Sequence, residues 1–119
     1  MTAVATEKLI EVRHPLVQHK LSYLREQDTP TVHFRKIANE VTLLLTYEAT
    51  KDFPTEDVEI ETPLGRTAVQ RISGKKVAVC PVLRAGMGML DGVLSLVSGA
   101  RVGFIGLYRD EETLEPVEY

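Results

Sequence analysis

Three periodicities alternate along the chain, and each predicts a different element. From His14-Pro15, the apolar residues Val17, Leu21 and Leu24 recur at helical spacing, and Pro15 suits a first helical position. Thr29-Pro30 repeats that opening, with Thr29 as the expected cap. Phe34, Ile37, Ala38, Val41, Leu44 and Leu45 then form one stripe of period 3.6, which predicts a helix to about Lys51. Over residues 52–62 the period changes to two. Val58 and Ile60 alternate with acids, as in an exposed or edge strand. Pro63 to Gly65 reads as a turn, and Thr67 to Ile72 as a second short strand. Val77 to Leu83 is an unbroken apolar run, the mark of a strand buried on both faces. Pro81 is acceptable there only where pairing ends. Arg84 to Gly88 reads as a loop. A helix follows to about Ser98, with Leu90, Leu94 and Val97 inward and Gly99 as its stop. Arg101 to Tyr108 is a second apolar strand. Ile10 to Arg13 could make a short strand, and residues 1–9 are expected to be flexible.

A strand, a crossover helix and a second strand make a βαβ unit with parallel strands. The fold class is therefore α/β, with two helices in front and a parallel sheet beginning behind. Two buried parallel strands fall short of the roughly five usual in such sheets, so the domain is expected to be incomplete at the C-terminus. The last ten residues, Asp110 to Tyr119, hold five acids and no base. They read as a solvated loop or a flexible hairpin arm.

Composition narrows the classes. A length of 119 residues fits one domain, and 44% apolar with 26% charged residues is an ordinary globular balance. Lys and Arg number 14 against 17 Asp and Glu, a net charge of -3, so no basic excess supports broad nucleic-acid binding. Cys80 is the only cysteine, which precludes an internal disulfide and suits a reducing cytoplasm. Its place in an apolar strand makes it an expected core thiol. No run of about 18 apolar residues offers a membrane span. The first residues carry Glu7 and no apolar stretch of the secretory kind.

In open parallel sheets, ligands bind beyond the carboxyl ends of the strands. Arg84 follows the first apolar strand and Arg109 follows the second. Neighbouring strands lie about 5 Å apart, so two guanidinium groups there repel one another unless an anion sits between them. Their planar forks suit a phosphate or pyrophosphate. Gly86 and Gly88 would let the backbone approach such a ligand, and amides at a helix start favour an anion. Each feature also has a plainer reading: a lone strand-end arginine is commonly solvated, and the two glycines could serve only the turn. The loop is neither a Walker A motif nor a G-x-G-x-x-G fingerprint, since no Gly-Lys follows and position 91 is Asp. His14, His19 and His33 fall on helices or their caps, without zinc-ligand spacing to Cys80. Glu111 and Glu112 could bind magnesium, though a solvated acidic loop is the simpler reading. Met87 and Met89 read as packing.

At these residues the sequence resembles the uracil phosphoribosyltransferase family, of the type I phosphoribosyltransferase class. KVAVCPVLRAGMGMLDGVLSLVSGARVGFIGLYRDEETLEPVEY carries the likeness, and HPLVQHKLSYLRE, FRKIANEVTLLLTYEAT and ETPLGRTAVQRI extend it from about Glu11. The resemblance implies pyrimidine salvage: uracil and phosphoribosyl pyrophosphate (PRPP) give UMP and pyrophosphate. Arg84 would be the pyrophosphate-loop arginine and Arg109 a second PRPP-binding arginine, both catalytic, with Ala85 and Gly86 also binding the diphosphate. A non-proline cis peptide is expected between Leu83 and Ala85. The likeness further implies Mg2+ with the PRPP, a GTP activator, a homo-oligomer of two or more copies and a cytoplasmic location. No segment matches the family's acidic, Thr/Gly-rich PRPP loop or its uracil-reading segment. The chain alone is therefore expected to be a poor catalyst, and uracil specificity rests on the likeness. The alternative is a nucleotide-sensing or RNA-binding regulator of the same fold.

Overall fold

A computed structural model describes residues 9–74 and 76–119. The flexible start expected for residues 1–9 thus falls, apart from Leu9, outside the described residues. Residues 10–13 form no strand. Among the described residues no other segment pairs with them, and an extended segment without a ladder partner is not a strand.

Helix α1 spans Pro15–Arg25 and begins as its sequence predicts. Pro15 fills the first position, and His14 caps it by accepting the Leu16 N–H at Nδ1, 3.1 Å away. Helix α2 spans Thr31–Ala49. Its cap is not Thr29. Pro30 takes that position without a side-chain bond, while the Thr29 hydroxyl donates to the Tyr23 carbonyl at 2.6 Å. Thr29 therefore fastens the end of α1 to the start of α2 instead. Lys20 and Glu40, 2.5 Å apart, join the two helices again further along. Of the predicted apolar stripe, Val41 is buried but Phe34 stays exposed. The most buried polar residue is Thr42, at 2% exposure. Thr42, Thr46 and Thr50 each donate to the carbonyl four residues back, at 2.8, 2.7 and 2.9 Å. Their hydroxyls are thereby satisfied on a packed helix face.

Strands β1 (Thr55–Thr62) and β2 (Gly65–Ile72) form an antiparallel ribbon with Val58 opposite Val69. β2 starts two residues earlier than expected, because Gly65 adopts φ 131 and closes the turn at once. The ribbon pairs with no other strand among the described residues.

The parallel unit comprises β3 (Ala78–Val79), β4 (Val82–Leu83), α3 (Met87–Leu96), β5 (Arg101–Val102) and β6 (Ile105–Arg109). Ala78 pairs with Arg101 and Val82 with Ile105, so both pairs share one offset of 23 residues (101 − 78 and 105 − 82). The strand expected over Val77 to Leu83 is split, yet its register runs through the split. Pro81 supplies no N–H, but its carbonyl accepts from Ile105 N–H at 3.1 Å. Burial differs more. Ala78, Cys80 and Val82 are exposed, and Cys80 is an accessible thiol rather than a core residue. A run apolar enough for burial on both faces needs layers on both faces, and a sheet of two parallel strands lacks them. Helix α3 stops at Leu96, with Val97 as its cap, short of Gly99.

β7 (Pro116–Glu118) pairs antiparallel with β6, Tyr108 opposite Val117. The acidic tail is therefore a hairpin arm. Helix α3 rests on α2 at Gly92, where an added Cβ would lie 2.7 Å from Thr42 Cβ. The whole is elongated, 65 × 38 × 26 Å, with a radius of gyration of 18.7 Å. A compact chain of this length would have about 13.5 Å. Its accessible surface is 10359 Å², where a folded monomer of this mass would show about 6,500 Å².

Candidate functional site

The carboxyl ends of β4 and β6 form one rim, because the two strands are adjacent and parallel. Leu83 sits opposite Gly106, which puts Arg84 level with Leu107. Arg109 is two residues further along β6, about 7 Å at 3.3 Å per residue. Leu107 and Arg109 fall on the same face of that strand by alternation. Arg84 and Leu107 line the same two cavities, and Tyr108, on the other face of β6, lines the second with them; Arg109 ends the strand beyond both. Both arginines are exposed. Among the described residues neither takes part in an ion pair. Their charges remain available to an external anion.

The Leu83–Arg84 peptide is cis, within the stretch where the sequence places it. The turn beyond it is tightly bonded. Gly86 N–H donates to the Val82 carbonyl at 2.8 Å, and the Met87, Gly88 and Met89 amides donate to Arg84, Ala85 and Gly86 carbonyls at 3.1 to 3.2 Å. The amides at the start of α3 are therefore spent inside the turn, contrary to the expectation that they face outward. Those of Arg84 and Ala85 make no backbone hydrogen bond among the described residues. They are the free donors of the loop.

The two glycines differ in kind. A Cβ on Gly86 would lie 2.5 Å from the Val82 oxygen and 2.7 Å from its nitrogen, so no side chain fits. A Cβ on Gly88 would meet nothing within 4 Å. Gly86 is required by the close turn, whereas Gly88 faces open space.

Two cavities adjoin Arg84. The larger, about 590 Å³, runs from Val79 and Cys80 along β4 to Leu90 and Val93 of α3 and is mostly apolar. The second, about 500 Å³, is lined by Arg84, Leu107, Tyr108 and Tyr119. Arg109 lines neither and stands on the rim outside them. The tyrosine rings lie 5.9 Å apart at 48°, and the Tyr119 N–H donates to the Gly106 carbonyl at 2.9 Å. Sequence reasoning missed both tyrosines. Tyr108 carries the alternating signal of a strand, but nothing in the sequence brings Tyr119 back across Gly106.

The remaining candidates lie elsewhere or in other roles. His14 is a helix cap, His19 stands edge-on to Tyr23 at 5.2 Å, and His33 borders a small cavity between α1 and α2. Glu111 and Glu112 are exposed. Among the described residues no group of three His, Cys, Asp or Glu side chains converges on a metal position. Asp110, unremarked in the sequence, accepts the Glu112 and Thr113 amides at 2.9 and 2.8 Å. Those bonds, Thr113 first, hold its carboxyl below the usual range. No helix is long and apolar enough to cross a membrane among the described residues.

The chain is similar to known proteins over most of its length. A profile of the uracil phosphoribosyltransferase family matches residues 11–119. A uracil phosphoribosyltransferase of Streptococcus mutans is 59% identical over 108 residues, 91% of this chain and 52% of that protein. One from Clostridium botulinum is 59% identical over 112 residues, 94% of this chain and 54% of that protein. The solved AQ2163 protein from Aquifex aeolicus superposes with a TM-score of 0.86 at 40% identity, covering 92% of this chain and 53% of that one. The chain thus spans about half the length of the relatives it matches. With the profile matching nearly every described residue, the chain belongs to the uracil phosphoribosyltransferase family.

Proposed function

We propose that this chain is the N-terminal portion of a single phosphoribosyltransferase domain and supplies the pyrophosphate-gripping half of a uracil salvage site. The observation that supports this most is the pair of arginines, Arg84 and Arg109, which close two adjacent parallel strands and take part in no ion pair among the described residues. In the reaction, a uracil ring nitrogen bonds to the anomeric carbon of PRPP while the bond from that carbon to pyrophosphate breaks. The uracil nitrogen gives its proton to solvent, and UMP and pyrophosphate result. Positive charge builds on the sugar as the diphosphate departs, so the useful work is electrostatic. Arg84 and Arg109 hold the leaving diphosphate, the free Arg84 and Ala85 amides donate to it, and Gly86 allows the turn that presents them. Magnesium, which prefers phosphate and water over an all-protein cage, would supply further neutralisation of the diphosphate charge beside the two arginines.

The remaining parts of the proposal rest on the family likeness. A cytoplasmic location suits the accessible Cys80 thiol. Assembly of two or more copies suits the solitary β1–β2 ribbon, since a two-stranded ribbon is marginal without further packing. GTP activation is proposed on the likeness alone.

The test is titration of PRPP with magnesium into the chain, alongside an assay for UMP. The chain should bind PRPP without efficient UMP synthesis, since it matches neither the family's PRPP loop nor its uracil-reading segment. Arg84→Ala should weaken binding about tenfold, the scale of a lost charge-assisted bidentate contact. Unchanged affinity would remove Arg84 from the site, and salt-dependent RNA binding in place of PRPP binding would favour the regulator.

A further inference from the structure

The junction of Arg109 and Asp110 sets opposite charges side by side, and their mutual neutralisation would disable an anion site. The structure spends the acid elsewhere. Asp110 Oδ1 accepts the Glu112 and Thr113 amides at 2.9 and 2.8 Å. Its own N–H donates to the Glu115 carbonyl at 2.9 Å, and its carbonyl accepts the Leu114 N–H at 2.9 Å. Thr113 Oγ1 accepts the Glu115 amide at 3.3 Å, and Leu114 takes φ 61 to turn the chain back. These bonds close residues 110–115 onto the end of β6, where Arg109 pairs with Pro116. Pro116 has no N–H to give the ladder. The end of the hairpin is therefore held by the Asp110 bonds immediately beyond Arg109.

We propose that Asp110 is a positioning residue: by committing its carboxylate to the 110–115 turn, it fixes Arg109 at the rim and leaves the guanidinium free for a diphosphate. The proposal rests on the reading of Arg109 as a diphosphate ligand. It explains why an acidic segment can border an anion site. The acid nearest the arginine is bonded to main-chain amides, and Glu111 and Glu112 point no known bond toward either arginine among the described residues.

The experiment compares the wild-type chain with Asp110→Asn and Asp110→Ala, reading amide hydrogen exchange at Glu112 and Thr113 and affinity for pyrophosphate with magnesium. Asn keeps an oxygen acceptor at the same place, so exchange protection and affinity should stay within about twofold of wild type. Ala should lose the protection and weaken pyrophosphate about fivefold, the scale of a lost side-chain cap. In an Arg109→Ala background, Asp110→Ala should cost nothing more, because the acid acts through the arginine. Lost protection with wild-type affinity in Asp110→Ala overturns the proposal while leaving the Arg109 reading intact. So does tighter binding, which would make the acid a competitor for the arginine. A wild-type chain with protected Glu112 and Thr113 amides and no pyrophosphate binding overturns the Arg109 reading, and this proposal with it.

Discussion

Gly92→Ala sets two opposing effects against each other at the contact that carries the site loop. Alanine in a helix interior is favoured over glycine by about 1 kcal/mol. The added methyl, however, would lie 2.7 Å from Thr42 Cβ, 2.8 Å from the Asn39 carbonyl oxygen and 2.9 Å from Thr42 Cγ2. Thr42 is 2% exposed and its hydroxyl is bonded to Ala38, so it has no easy way to turn aside. Ordinary contact begins near 3.4 Å, and α3 would have to retreat by 0.7 Å (3.4 − 2.7). Overpacking of this kind costs about 2–3 kcal/mol, which wins over propensity and leaves a net loss of about 1–2 kcal/mol. Gly88→Ala in the same helix is the control, since its Cβ meets nothing within 4 Å; it should gain about 0.5–1 kcal/mol. Urea unfolding followed by circular dichroism measures both. The two variants should differ by about 2–3 kcal/mol in opposite directions from wild type. A Gly92→Ala chain as stable as Gly88→Ala would refute the close packing of α3 on α2.

Two further predictions concern the loop and the helix pair. Gly86→Ala should abolish pyrophosphate binding, because a Cβ there strikes Val82 backbone at 2.5 and 2.7 Å, whereas Gly88→Ala should bind as wild type; calorimetric titration of both checks this, and loss in Gly88→Ala would mean that a ligand approaches that backbone. Glu40 is held below its ordinary value near 4.5, first by the hydrogen bond from Lys20. A depressed carboxyl stabilises the fold above its unfolded value and loses that contribution as pH falls through the lower folded one. Lys20→Met should thus flatten part of the stability loss below about pH 4.5, by no more than about 1 kcal/mol for a pair still partly exposed to solvent; identical acid profiles by thermal melting would contradict the pairing.

The helices were legible because their apolar stripes repeat with a clear period over one to two dozen residues, and the parallel pairing followed from a strand, a helix and a strand in that order. The rim position of Arg84 and Arg109 came with the topology. What could not be read depended on partners distant in the chain. The apolarity of Val77 to Leu83 records the layers such a strand is suited to, and the structure supplies too few of them, so Cys80 and Val82 lie open. Thr29 has the chemistry of a cap, yet its hydroxyl finds the nearer Tyr23 carbonyl. Gly86 and Gly88 are alike in sequence, and only the proximity of Val82 separates them. Asp110 reads as one acid among five until its two amide partners are seen.

The most direct measurement is a double-substitution cycle on the two rim arginines, reading the affinity of Arg84→Ala, Arg109→Ala and the pair for pyrophosphate with magnesium. Each single change should cost about tenfold, and the pair should cost less than the product of the two because both guanidinium groups grip one diphosphate. Either single variant binding as tightly as wild type would contradict the account.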